Sequence, residues 1–140
     1  MLGDSEEWRY ASLAEGLLRI SAQPKEDSVE LFKRIVFNAL ISNDDDTPGN
    51  HAIIANHAGW KLSPAYDLRP SMEQLSLKHR HLAMNCGIHG CQANASNLLS
   101  EAHRFLLREE EATVIIDAME DRISNTWYGI ARRAGVSEMD

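Results

Sequence analysis

NDDDTPGNHAIIANHAGWKLSPAYD, residues 43–67, is the stretch on which the reading of this 140-residue chain turns. Three consecutive acids, Asp44 to Asp46, follow a strongly apolar run and precede Pro48, Gly49 and Asn50. Proline cannot continue a helix, and glycine and asparagine favour turns, so a helix ends here and a polar loop begins. The runs HAII and WKLS are short and apolar or alternating, and Ala55 to Gly59 between them contains the turn formers Asn56 and Gly59. That pattern predicts a two-stranded hairpin. Such a hairpin folds the chain back, so that Asp67 returns close to Asn50, five positions beyond Asp45.

Outward from this stretch the chain reads as helices. On the N-terminal side, a helix from Asp27 or Ser28 to Ile41 carries Val29, Phe32, Val36 and Leu40 on one line and Leu31, Ile35 and Ala39 beside it. So wide an apolar surface predicts a nearly buried helix, a rigid base for the acidic loop, with Lys33 and Arg34 on a narrow solvated face. Before it, a break at Ser21–Pro24 separates a first helix, capped by Asp4 or Ser5, whose apolar face is Trp8, Leu13, Leu17 and Ile20. On the C-terminal side, Leu68 to Glu73 reads as loop, and Leu75 to Met84 as either strand or irregular chain. Lys78, His79, Arg80 and His81 in that segment are basic enough to meet phosphate, but a solvated face is the simpler reading. A helix capped near Asn94 or Ser96 should bury Leu98, Leu99, Ala102, Phe105 and Leu106. The last helix, from Arg108 or Glu109 to Arg132, has the clearest periodicity, with Ala112, Ile115, Ile116, Met119, Ile123, Trp127 and Ile130 on one face. Glu109, Glu110 and Glu111 at its start and Arg132 and Arg133 at its end suit the helix dipole, and Gly135 stops it. The expected fold is mainly α, one domain with a small β-hairpin.

Composition narrows the function classes. A hydrophobic fraction of 44% and a charged fraction of 25% are those of an ordinary globular protein. A net charge of -7 disfavours a direct grip on nucleic acid, which rests on lysine and arginine displacing counterions. No leader and no long apolar span is evident, so no membrane role is expected and a reduced, cytoplasmic setting fits the two cysteines. Cys86, His89 and Cys91 in CGIHGC provide three local candidates for zinc, but the spacing is not a familiar one and a loop with two free thiols is expected. Calcium suits the acidic loop poorly: counting Asp44 as the first ligand puts Pro48 fifth and Ala55 twelfth, where an EF-hand needs glutamate.

The order Asp45, Asn50, Asp67 is that in which protein kinases present a catalytic aspartate, a metal-binding asparagine and a second metal-binding aspartate. Three segments, ELFKRIVFNALISNDDDTPGNHAII, GWKLSPAYDLRPS and EEEATVIIDAMEDRISNTWYGIARRAGVSEMD, extend the likeness. Together they resemble, in the right order and over nearly all of residues 1–140, the mostly helical C-terminal lobe of HipA-type serine/threonine kinases, the toxins of toxin-antitoxin pairs. The resemblance implies a kinase C-lobe-like domain without its N-terminal lobe, which would be a fragment, a truncated product or half of a split enzyme. It implies ATP and Mg2+ as cofactors, a protein substrate and a helix-turn-helix antitoxin as partner. Asp45 then matches the catalytic base, and Asn50 and Asp67 the magnesium ligands. Asp44 and Asp46 are expected to tune the field, cap the loop or face water. Two departures stand out: Thr47 and Gly49 replace a histidine and a basic residue common in the family, removing a cation from the loop. They favour an alternative, a non-catalytic binding module that engages an antitoxin or other protein.

Overall fold

Helix α2 (Pro24–Ile41) is the beam against which the other elements pack, and the computed structural model describes residues 8–73 and 79–138 around it. The helix begins three residues before the expected Asp27, because Pro24 occupies its first turn, where a missing N–H costs nothing and φ is already helical. Leu31, Phe32, Ile35, Val36 and Ala39 are buried, as the wide apolar surface predicted. Arg34 is a correction: it is buried rather than solvated, donating to the Ser63 carbonyl and, at 3.3 Å, to Glu30. The polar face is narrower than expected because the hairpin covers part of it.

Helix α1 (Tyr10–Ile20) packs on α2 through Tyr10, Ala14 and Leu17. Its buried stripe is rotated from the expected one: Trp8 and Ile20 are 54% and 47% exposed, and small alanines take the contact positions. The proposed caps Asp4 and Ser5 lie outside the described residues.

Ser42, in the left-handed conformation at φ 60°, ends α2 and turns the chain into the acidic loop. A short 3-10 turn at Pro48–Asn50 leads into strands β1 (Ile53–Asn56) and β2 (Gly59–Leu62), antiparallel, with Ile53 opposite Leu62 and Asn56 opposite Gly59. The Asn56 side chain accepts the Ala58 N–H at 2.9 Å and closes the turn. Two further bonds tie the hairpin to the helices: Ala22 N–H to the Trp60 carbonyl at 2.9 Å, and Leu62 N–H to the Asp27 carboxylate at 2.8 Å.

Residues 79–94 form no regular element, and Leu82 and Met84 point inward while His81 and Ala83 face out. His79 and His81 are exposed, and Lys78 lies outside the described residues. The loop then meets α3 (Ala95–Ser100) at Gly87, where a Cβ would stand 2.0 Å from the Asn97 carbonyl oxygen. Asn97 is fully buried and staples this loop: its amide donates to Gly90 and Gln92 carbonyls, both at 2.9 Å, and its oxygen accepts the His89 N–H at 2.8 Å. Cys86 and Cys91 are free thiols. Burial, with Cys91 close by, pushes the Cys86 thiol up to about 12.

The single helix expected through Leu106 is two pieces, because Glu101 leaves helical geometry and is drawn into pairs with Arg9 at 3.4 Å and Arg104 at 3.3 Å. A 3-10 turn follows at Ala102–Phe105, and Phe105 packs on Phe32 with ring centroids 5.6 Å apart. Leu106, at φ 59°, is 39% exposed rather than inside, and its turn sends Leu107 into the core instead. Helix α4 (Glu109–Arg133) starts where Glu111 accepts the Arg108 N–H at 2.9 Å. Ala112 and Ile116 are buried, but the expected face does not stay covered: Trp127 and Ile130 are 60% and 54% exposed. At about 37 Å for 25 residues, the helix outruns the body it lies on. The architecture is mainly α with one small β-hairpin, and no described helix is long and apolar enough to cross a membrane.

Candidate active site

The acidic loop is anchored by the acid that looked least specialised. Asp46 is 1% exposed, and its carboxylate accepts from the Tyr10 hydroxyl and, at 3.0 Å, from the Asn38 amide; His51 Nε2 lies 2.9 Å away. Of the expected roles for Asp46, tuning the field, capping the loop or facing water, the burial of its side chain rules out the last. A buried carboxylate needs such partners, because an unpaired charge in the interior costs several kcal/mol, on the order of the whole stability of a small domain. Burial, followed by the Asp46 charge, holds the Tyr10 hydroxyl far above its usual pKa, so it stays protonated and donates. Asn43, also buried, donates to Asn38 at 3.0 Å and accepts the Asp45 N–H at 3.3 Å. The backbone on both sides of Asp45 is therefore held by buried side chains.

With its neighbours pinned inward, Asp45 projects outward and pairs with the Arg69 guanidinium. Asn50 is brought to it: the Asn50 Nδ2 donates to the Asp45 carbonyl at 3.3 Å, which leaves Oδ1 available as an acceptor. The hairpin returns the chain as its pattern predicted, and the Tyr66 hydroxyl donates to the Gly49 carbonyl at 2.9 Å. Asp67 follows at φ 55°, a left-handed conformation that aspartate tolerates better than most residues. Ser71 N–H then bonds the Ser42 carbonyl at 3.0 Å, closing the segment onto the end of α2. The Arg69 pKa is raised by its bond to and the charge of Asp45, then by Asp67, its neighbour two residues back, with Asp44 also contributing. Asn50 thus reaches the Asp45 main chain, and the Asp67 carboxylate is related to Asp45 through the Arg69 guanidinium, which feels both charges.

Asn43, Asp44, Asp45, Arg69, Pro70 and Ser71 line a shallow cleft at this place. Its donors are hard oxygens, the type that magnesium prefers over nitrogen or sulfur. No group of three histidine, cysteine or acidic side chains forms a metal cage among the described residues. Magnesium in phosphoryl-transfer sites is held by one or two carboxylates plus phosphate oxygens and water, and the side-chain oxygens of Asn50 and Asp67 are of that donor type, but neither residue lines this cleft, to which the expected site contributes Asp45 alone.

Sequence reading missed the support. Tyr10 stands 36 positions from Asp46, and nothing in a periodic pattern announces that pairing. His51 and Asn38 gave no signal beyond their polarity beside apolar runs. Arg69 was visible in the DLRP text, two residues past Asp67, and restores near the site a positive charge that Gly49 removes from the loop.

A family model described as the HipA-like C-terminal domain matches residues 2–127, most of the chain and the whole of the site. A Sinorhizobium fredii (strain NBRC 101917 / NGR234) protein named "Putative kinase Y4mE" is 32% identical over 94 residues. That alignment covers 61% of this chain and 22% of the relative's length.

Proposed function

The chain belongs to the family of HipA-like C-terminal domains, and from that premise we propose that it provides the base and metal ligands of a protein serine/threonine kinase. What supports the reading is one arrangement: Asn50 bonded to the Asp45 backbone, with Tyr66 and Arg69 carrying Asp67 to the same side of the molecule. In it Asp45 accepts the proton of the protein hydroxyl and orients that oxygen, while Asn50 and Asp67 would hold Mg2+. When bound, ATP would supply the γ-phosphoryl group and magnesium would neutralise its charge. Arg69 offers a guanidinium to the same phosphate region, the kind of oriented positive charge on which this chemistry depends. Tight ATP binding would draw on an N-terminal lobe, and the substrate, the antitoxin partner and a cytoplasmic site of action belong to this proposal too.

The test is calorimetric titration of magnesium and ATP into this chain and into the chain joined to an N-terminal lobe, followed by phosphorylation assays on the joined form. Asp45→Ala should cut turnover by about 10²–10⁴, the usual worth of a positioned base, with nucleotide binding kept. Asp67→Ala should abolish the magnesium dependence of binding. Unchanged phosphorylation in either variant would remove the assignment.

A second reading has its own observation. Thr47 and Gly49 replace a histidine and a base, and Asp45 is already paired with Arg69, so the same loop suits a module that binds an antitoxin or other protein without catalysis. Stable capture of a helix-turn-helix partner, with no magnesium-dependent nucleotide binding by any joined form, would select it.

A further inference from the structure

The two edges of the hairpin differ. The Ser63 N–H bonds the Ala52 carbonyl at 2.8 Å, and in an antiparallel ladder such pairs alternate with pairs that turn their N–H and C=O groups outward. Ile53–Leu62 and Ala55–Trp60 are the outward pairs. On β2 these groups find partners in the body: the Asp27 carboxylate accepts the Leu62 N–H at 2.8 Å, and the Trp60 carbonyl accepts from Ala22 at 2.9 Å. On β1 nothing among the described residues meets the corresponding groups of Ile53 and Ala55, and every residue of the strand is exposed. Ile53 also belongs to an apolar pocket of about 350 Å³, which it and Leu62 line together with Leu13, Gly16, Leu17 and Ile20. The pocket stays open at Gly16, where an added Cβ would meet nothing within 4 Å, although glycine inside a helix stabilises it less than alanine does.

We infer that this edge and pocket together receive an extended segment of another protein, which adds a third strand beside β1 and puts an aliphatic side chain into the pocket. A row of unpaired backbone donors and acceptors selects an extended peptide, since neither a helix nor a small apolar molecule has a main chain free to pair with it. Alternate side chains of such a strand share a face, so the residue beside Ile53 turns toward α1 and its neighbours turn away. Charge selects those neighbours. The chain carries a net charge of -7, and Asp44, Asp45 and Asp67, on the segments that lead into and out of the hairpin, outnumber the Arg69 guanidinium beside them. A segment with lysine or arginine between its aliphatic residues is therefore favoured over an acidic one. A second copy of this chain is disfavoured on the same ground, because it brings like charge to the same edge. Such binding does not require Asp45 to act as a base.

Fluorescence anisotropy on the 140-residue chain, with a short labelled peptide in which leucine alternates with lysine, tests this. The parent chain should bind the peptide saturably. Ala55→Pro removes an outward N–H without touching the ladder bonds to β2, and should weaken binding by about tenfold or more. Gly16→Leu fills the pocket and should weaken binding by a similar factor while the melting temperature holds or rises. Both variants keep the charge of the parent, so equal binding by all three would mean adhesion by charge alone and overturns the proposal. The same peptide N-methylated at alternate residues, and one with glutamate in place of lysine, should each bind more weakly; undiminished binding of either also overturns it. Those two peptides leave the protein unaltered, so they decide the matter if circular dichroism finds a variant unfolded. Sedimentation equilibrium over the same concentrations checks the occupant. A parent chain that dimerises, beside an Ala55→Pro variant that does not, would give the edge to a second copy instead.

Discussion

Asp45 and Asp46 are neighbours of the same chemical type with opposite environments. Asp46 is turned into a buried set of donors that fixes the loop, and Asp45 is turned out by that same fixing, where it can act on something else. A second acid shows how sharply such partnerships depend on pH. Burial works to raise the pKa of Asp27, but bonds from Ser21 at 2.6 Å, Leu62 N–H and Gln23, with the Lys61 charge, hold it below the ordinary carboxylate value. A depressed folded pKa means stability that is present above the unfolded value and lost as pH falls through the folded one. Asp27→Asn should therefore lower the unfolding free energy by about 1–3 kcal/mol at pH 7, the cost of weakening a buried acceptor. In urea titrations the gap from the parent chain should narrow once pH drops below about 4, where the unfolded carboxylate takes up its proton. A gap independent of pH would assign the effect to packing instead.

Among the elements, α2 and the hairpin form one working unit. The helix buries five apolar side chains and gives its Asp27 carboxylate and buried Arg34 to the hairpin, so the strands that return Asp67 are fixed by the helix that precedes Asp45. The loop at residues 85–92 meets α3 on different terms, by close approach. Gly87 stands so near Asn97 and Ser100 that any Cβ must displace backbone. Gly87→Ala should cost about 1–3 kcal/mol by overpacking and should loosen the staple made by Asn97. Thermal unfolding reads the first effect. Alkylation reads the second: the Cys86 thiol, buried and raised to about 12, should be inert in the parent chain and should react in the variant.

At the scale of the whole molecule the body and the arm of α4 separate in their contributions. The core is closed by Phe32, Phe105, Leu82, Met84 and Ala112, none of which belongs to the arm. Removing residues 124–138 should thus leave the melting temperature of the dilute chain within about 2–4 °C of the parent, a change of less than roughly 1 kcal/mol. A larger loss in circular dichroism melts would mean that the arm supports the core. The helices, the hairpin and the succession Asp45, Asn50, Asp67 were legible in the sequence, because periodicity, turn residues and motif spacing are local properties. So were the ends of α2 and α4 to within a few residues; the expected break before α2 is present, one residue shorter because Pro24 belongs to the first turn of the helix. What tertiary structure alone decided is which polar groups are inside. Arg34 and Asp46 look solvated by their neighbours in the chain, and are buried because Ser63 in one case, Tyr10 and Asn38 in the other, arrive from distant positions to satisfy them. The same applies to α4: its apolar stripe is written in the residues, but whether anything covers it depends on how far the folded body reaches, and the body ends before Trp127.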